Sequence, residues 1–222
     1  MGVYTTVVKF FQEGGLFMYP IAIVLALGAA IAIERWVYLT LTTAKNKALW
    51  NSVTPFLKAG NLAGAVQVTS KSGAVIAQIM TYGLNRVRSA RRREDVEQAM
   101  EESLMEVMPR LEKRTHYLAT FANIATLLGL LGTIVGLISA FTAVATANPA
   151  EKADLLSASI SVAMNTTAFG LIVAIPLLLV HTLLQTKTTE IIDSLEMASV
   201  KFLNAITERA AEAKPAAAGA RG

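Results

Sequence analysis

The side chains best placed to do chemistry are hydroxyls and an amide set inside charge-free apolar runs: Thr133 in residues 115–150, and Asn165, Thr166 and Thr167 in residues 155–186. In hydrocarbon such a hydroxyl either bonds to a carbonyl of its own or a neighbouring helix or lines a narrow path where water or an ion is coordinated. We assign Thr133 and Thr167 together to the second use, with Asn165 and Thr166 on the same ion pathway. Ser159, Ala163, Thr167, Gly170 and Ala174 recur at helical spacing and form one face of small or hydroxyl residues, unusually polar for contact with lipid. Neither run contains Asp, Glu, Lys or Arg, although a proton or sodium carrier needs an ionisable group within the membrane. If the chain conducts ions, the titrating group must come from a partner.

Other chemistries are excluded by what is missing. The sequence has no cysteine, so disulfides, thiolate metal sites and a cysteine nucleophile are ruled out. His116 and His181 are its two histidines, too few and too far apart for a metal centre. No His-Glu-x-x-His, P-loop or Gly-x-Ser-x-Gly pattern occurs. We therefore expect no enzyme activity, no metal and no cofactor. The glycines Gly129, Gly132, Gly136 and Gly170 are not a dinucleotide fingerprint. The spacings Gly129/Thr133 and Gly132/Gly136 are small-xxx-small pairs, which let helices approach closely in lipid, where packing drives association.

Hydrophobic residues make up 54% of the 222 and charged residues only 16%, against roughly a quarter charged in soluble domains. Mean hydropathy is +0.49. The surplus sits in residues 16–33, 115–150 and 155–186, each meeting the roughly 18 apolar residues that indicate a span. Twelve of the 20 Lys and Arg fall in 44–114 and five follow Thr186, so the positive-inside rule puts those segments in the cytoplasm and the N-terminus outside. The net charge of +4 follows the span boundaries, which speaks against a nucleic-acid partner. We read 16–33 as a retained span, since Lys9 is offset by Glu13 and the run is longer than a signal-peptide core.

The expected architecture is an all-α polytopic membrane protein with three transmembrane helices, the second and third extending into the cytoplasm. Its segments are an external amphipathic helix (1–15), span one (16–43), a cytoplasmic helical segment (44–114), span two (115–147), an external turn (148–154), span three (155–186), a cytoplasmic helix (187–212) and a disordered tail (213–222). Val96, Met100, Leu104, Val107 and Leu111 form an amphipathic stripe that leads into span two, as though one long helix began in the cytoplasm. Ile191, Leu195, Ala198 and Phe202 continue a stripe below span three. Arg35 and Trp36 are placed as interfacial anchors, and Arg91, Arg92 and Arg93 as contacts to anionic lipid or an adjacent subunit.

Gly14-Gly15-Leu16-Phe17-Met18-Tyr19-Pro20-Ile21, Ile33-Glu34-Arg35, Leu128-Gly129-Leu130-Leu131-Gly132-Thr133-Ile134-Val135-Gly136 and Asn165-Thr166-Thr167-Ala168-Phe169-Gly170 through Pro176 occur in this order over most of the chain. Together they resemble the MotA/TolQ/ExbB proton-channel family, in its TolQ/ExbB branch. The resemblance implies an inner-membrane, ion-driven stator: a homopentamer around a dimer of a one-span partner resembling ExbD or TolR, whose Asp carries the ion. Ion flow would then move the inner dimer and work on the cell envelope. By the family pattern Thr133 and Thr167 face that Asp. One departure stands out: many relatives carry Glu five residues before the second threonine, where this chain has Val162. The same packing faces would also suit a non-conducting scaffold or assembly subunit.

Overall fold

The computed structural model describes residues 2, 10–11, 14–87, 89–90 and 92–219, with side chains described as far as Thr207. Six helices follow in order among them: α1 (Met18–Lys58), α2 (Leu62–Ser70), α3 (Val75–Val87), α4 (Arg93–Glu112), α5 (Thr115–Thr146) and α6 (Lys152–Gly219). No strand occurs among the described residues. Three stretches are long and apolar enough to cross a membrane: Met18–Lys58, Arg93–Thr146 and Lys152–Thr207. At 1.5 Å per residue the 41 residues of α1 extend about 60 Å, twice a hydrocarbon core of about 30 Å. Each apolar run therefore continues as helix beyond any bilayer it crosses.

The chain divides into two compact units. The first joins Met1–Arg35 to Arg114–Leu184. Its interior is built from small and aliphatic side chains: Met18 and Ile21 on α1, Leu118, Ala122 and Ala125 on α5, and Ala163, Val173 and Ala174 on α6 are buried. Large apolar groups such as Leu127, Ile138, Phe141 and Leu179 point outward, and Leu127 is 63% exposed. An outward apolar surface of this kind fits hydrocarbon. Gly15 turns the chain into α1 with φ of 72°, a left-handed conformation that glycine adopts without a Cβ penalty. The external helix expected over 1–15 falls mostly outside the described residues. Phe10 and Phe11 are described, and both pack edge-on against Phe169.

The second unit joins Trp36–Lys113 to Gln185–Gly222. Here the core is an ordinary amphipathic one. The stripe Val96, Met100, Leu104, Val107 and Leu111 is buried as its spacing predicts, and Ile191, Leu195, Ala198 and Phe202 are buried with Leu203. Local caps fix the short helices. The Asn61 carboxamide accepts from the Gly64 N–H at 2.9 Å, and Asn46 Oδ1 accepts from the Ile76 N–H at 3.2 Å at the start of α3, each satisfying an orphan helix donor.

The single long helix expected to lead into span two is interrupted at Lys113–Arg114, where Arg114 takes a φ of 66°. Arg114 Nη1 donates to Glu34 Oε2 at 2.9 Å, holding the strained residue in place. At the other end, the α6 backbone stays helical to Gly219, into the tail expected to lack structure. Ala-rich sequence has the highest intrinsic helix propensity, which accounts for that conformation without packing.

Candidate functional site

Four glycines bring α5 and α6 together. A Cβ on Gly129 would lie 3.3 Å from Gly170 Cα and 3.3 Å from Thr167 Cα. One on Gly170 would lie 2.7 Å from the Ala125 carbonyl oxygen and 3.1 Å from Gly129 Cα. The helices therefore meet backbone to backbone, and any side chain at these two positions would have to displace a main chain. Gly136 faces Ala163 Cβ at 2.9 Å, and Gly132 faces Thr166 Cγ2 and Phe17. Within this chain the small-xxx-small pairs thus serve an intramolecular interface between the second and third spans.

This close approach places Thr133 and Thr167 side by side. Their hydroxyls are hydrogen-bonded to each other. Thr167 Oγ1 also reaches across to the Gly129 carbonyl at 2.9 Å. Thr133 Oγ1 lies 3.3 Å from its own-helix carbonyl, Gly129 O, and 3.3 Å from Ala163 O on α6. The cluster contains two hydroxyl protons and four oxygens, so acceptors outnumber donors. Such a group can take a further donor, whether water or a protonated carboxyl, or contribute oxygens to a cation. Both threonines are half-buried.

The other expected site residues are distributed differently. Thr166 is only 2% exposed, and its hydroxyl lies within donating distance of Gly14 O at 2.6 Å and Val162 O at 2.9 Å. That side chain fastens α6 to the turn before α1 and stands apart from the threonine pair. Val162 itself lies against Gly15. Asn165 is half-buried, and the hydrogen bonds of the threonine pair do not include it. Arg35 is 3% exposed, so it does not face lipid as an interfacial anchor would; its neighbours Glu34 and Trp36 hold the exposed positions. Arg92 is exposed, while Arg93 Nη2 donates to Asn204 Oδ1 at 2.9 Å and so links α4 to α6 within the second unit. Arg91 lies outside the described residues.

One arrangement was missed at the sequence level. Lys187 Nζ sits 4.7 Å from the centroid of the Trp36 ring and donates to Thr40 Oγ1 at 2.6 Å. The signal was present: Trp36 and Thr40 are one helical turn apart just past the first apolar run, and Lys187 is the first charge after the third. Among the described residues no three His, Cys, Asp or Glu side chains converge as metal ligands would.

Comparison with known proteins agrees with this architecture. Residues 71–197 match the model of the MotA/TolQ/ExbB proton channel family. The chain is 28% identical over 196 residues to an ExbB homolog, named for biopolymer transport, from Methanothermobacter thermautotrophicus, covering 87% of this chain and 68% of that protein. Identity is 26% over 169 residues to the biopolymer transport protein ExbB-like 3 of Synechocystis, covering 76% and 80%. A segment of 53 residues is 47% identical to the biopolymer transport protein exbB1 of Vibrio cholerae, covering 24% and 23%. With the family match spanning more than half of the chain, this protein belongs to the MotA/TolQ/ExbB proton channel family, as an ExbB-like member.

Proposed function

We propose that this chain is the ring-forming subunit of an ion-driven energy transducer in the bacterial inner membrane. Five copies surround a dimer of a one-span partner of the ExbD or TolR kind, and that partner's Asp carries the ion, most simply a proton. The observation that carries this reading is the Thr133–Thr167 hydroxyl pair in two spans without a single Asp, Glu, Lys or Arg. An acceptor-rich cluster with no titrating group of its own fits a path whose proton arrives on another chain's carboxyl. One charge moved through 100 mV releases about 2.3 kcal/mol, enough to bias a conformational step of the inner dimer. In this reading the N-terminus and residues 148–154 lie outside, and residues 44–114 and the C-terminal segment lie in the cytoplasm. Gly129, Gly132, Gly136 and Gly170 hold the two spans in register, Thr133 and Thr167 face the ion, and Asn165 stands near them on α6.

A competing reading, a non-conducting scaffold, draws on one observation: both threonine hydroxyls already have partners within the chain. Proton flux separates the two. The chain is co-expressed with its one-span partner, its stoichiometry read by native mass spectrometry, and flux followed in vesicles with a pH-sensitive dye. We expect five copies with two partners, loss of flux when Thr133 and Thr167 are both changed to Ala in an intact complex, and recovery when both are changed to Ser. Full flux without either hydroxyl would overturn the ion path, and a partnerless assembly would favour the scaffold.

A further inference from the structure

In the second unit, α1 and α6 enclose an elongated groove of about 370 Å³. Its floor is apolar, with Trp50, Ile76, Ile191 and Ala198, and its rim carries Lys47, Lys187 and Lys201 against one acid, Glu190. On the same unit α4 presents the opposite character. Seven of its 20 residues are Asp or Glu and two are Arg. Glu101, Glu102 and Glu106 are exposed, and between them stands Met105, 66% exposed although it is a large apolar side chain. Glu106 pairs with Arg110 and Lys187 with Trp36 and Thr40, which leaves an apolar knob flanked by Glu101 and Glu102 and an apolar trough flanked by Lys47 and Lys201, complementary in charge.

We propose that the Met105 face of α4 on one copy docks into the α1/α6 groove of the next copy, the contact repeating around the ring. This rests on the oligomer proposed above. The positions along the chain agree. Lys47 lies 14 residues past the end of the first apolar run at Ile33, Lys201 lies 15 past the end of the third at Thr186, and Glu101 lies 14 before the second begins at Thr115. The acidic and basic surfaces thus stand at matching separations along the chain from the three apolar runs. Met105, ten residues before Thr115, likewise matches Met197 and Ala198 of the groove lining, 11 and 12 past Thr186. The contact is heterologous, two different surfaces meeting head to tail, which is the kind that closes rings. Exposed ion pairs contribute little strength singly but set partner choice and register.

The native chain has no cysteine, so cross-linking reads the contact directly. In membranes containing the full chain and its partner, Glu101→Cys combined with Lys201→Cys is expected to give a ladder of covalent oligomers on mild oxidation. Glu101→Cys with Lys45→Cys, which does not line the groove, is expected to give none. Reversing Lys47 and Lys201 to Glu is expected to lose the oligomer, and adding Glu101→Lys and Glu102→Lys to the same chain to restore it. If native mass spectrometry still shows an oligomer but no ladder forms, the docking is overturned while the ring survives. If the reversed variant keeps its oligomer and loses co-purifying anionic phospholipid, the groove is a headgroup site and the proposal falls. If the native chain forms no oligomer, both readings fall together.

Discussion

Around Gly129 and Gly170 two helices meet main chain to main chain. Around Gly83 they are held apart by a fully buried Phe202 and by Met100 Sδ, which lies 2.7 Å from where a Gly83 Cβ would be. The first pair belongs to the unit of apolar runs and the second to the charged unit. In lipid, burying an aliphatic side chain between helices gains little, because the tails outside are equally apolar. Close approach through small residues and hydroxyls replaces it. In water the driving force is removal of apolar area, and the interface fills with the largest side chains available. A helix such as α1 contributes to both units and must change its packing rule partway along its length.

The largest expected effect breaks the aqueous half of this comparison. Phe202→Ala removes the bulkiest fully buried side chain among the described residues and should cost about 3–5 kcal/mol of the charged unit's stability. Hydrogen exchange on residues 93–112 should show their protection falling, while protection over residues 115–146 persists. Next in size is the lipid half. Gly170→Ala puts a Cβ 2.7 Å from the Ala125 carbonyl. Because the neighbour is main chain, the helices must separate at about 1–3 kcal/mol, seen as a lower unfolding temperature in detergent. A Gly73→Ala control, with open space around its Cβ, should leave that temperature within a degree or two.

This contrast also explains which features were legible in the sequence. The stripe Val96, Met100, Leu104, Val107 and Leu111 could be read because in water burial is a statement about hydrophobicity, and hydrophobicity is periodic. Within the spans almost every residue is apolar, so periodicity carries no signal and residue size must stand in for it. That marked the glycines and Thr167 but not whether their interface lay within one chain or between chains. Thr166 was grouped with Thr167 because both are hydroxyls in the same run. Only three-dimensional packing separates them, one turned to the Gly14 carbonyl and the other to Thr133. Arg35 was misplaced for a related reason: a basic residue next to Trp at a span end suits an interface, and nothing local says that it is buried. The break at Arg114 left no mark either, since Arg is an ordinary helix former.

A smaller effect sharpens the comparison at the break between α4 and α5. Arg114 is the one non-glycine residue with positive φ among those described, a conformation costing roughly 1 kcal/mol. Its exposed ion pair with Glu34 is worth about 0–1 kcal/mol. Arg114→Ala loses the pair and keeps the strain, whereas Arg114→Gly loses the pair and relieves it. The glycine variant should therefore be more stable than the alanine variant by about 1 kcal/mol in denaturant unfolding. Equal stabilities would show that the left-handed turn is not strained.

The smallest expected energy belongs to the pair assigned the central role. Interhelical hydrogen bonds in membranes couple by about 0.6 kcal/mol on average, because a hydroxyl released from one partner finds another carbonyl nearby, as Thr133 would with Gly129 and Ala163. A double-mutant cycle over Thr133→Val and Thr167→Val should return a coupling of that order in detergent unfolding, several-fold below the Gly170 effect. The same two substitutions should abolish ion flux, because removing either oxygen breaks an acceptor cluster that the surrounding aliphatic side chains cannot replace. If stability and flux instead fell in proportion, with coupling as large as the glycine effect, the hydroxyls would be packing elements of the same kind as Gly129 and Gly170.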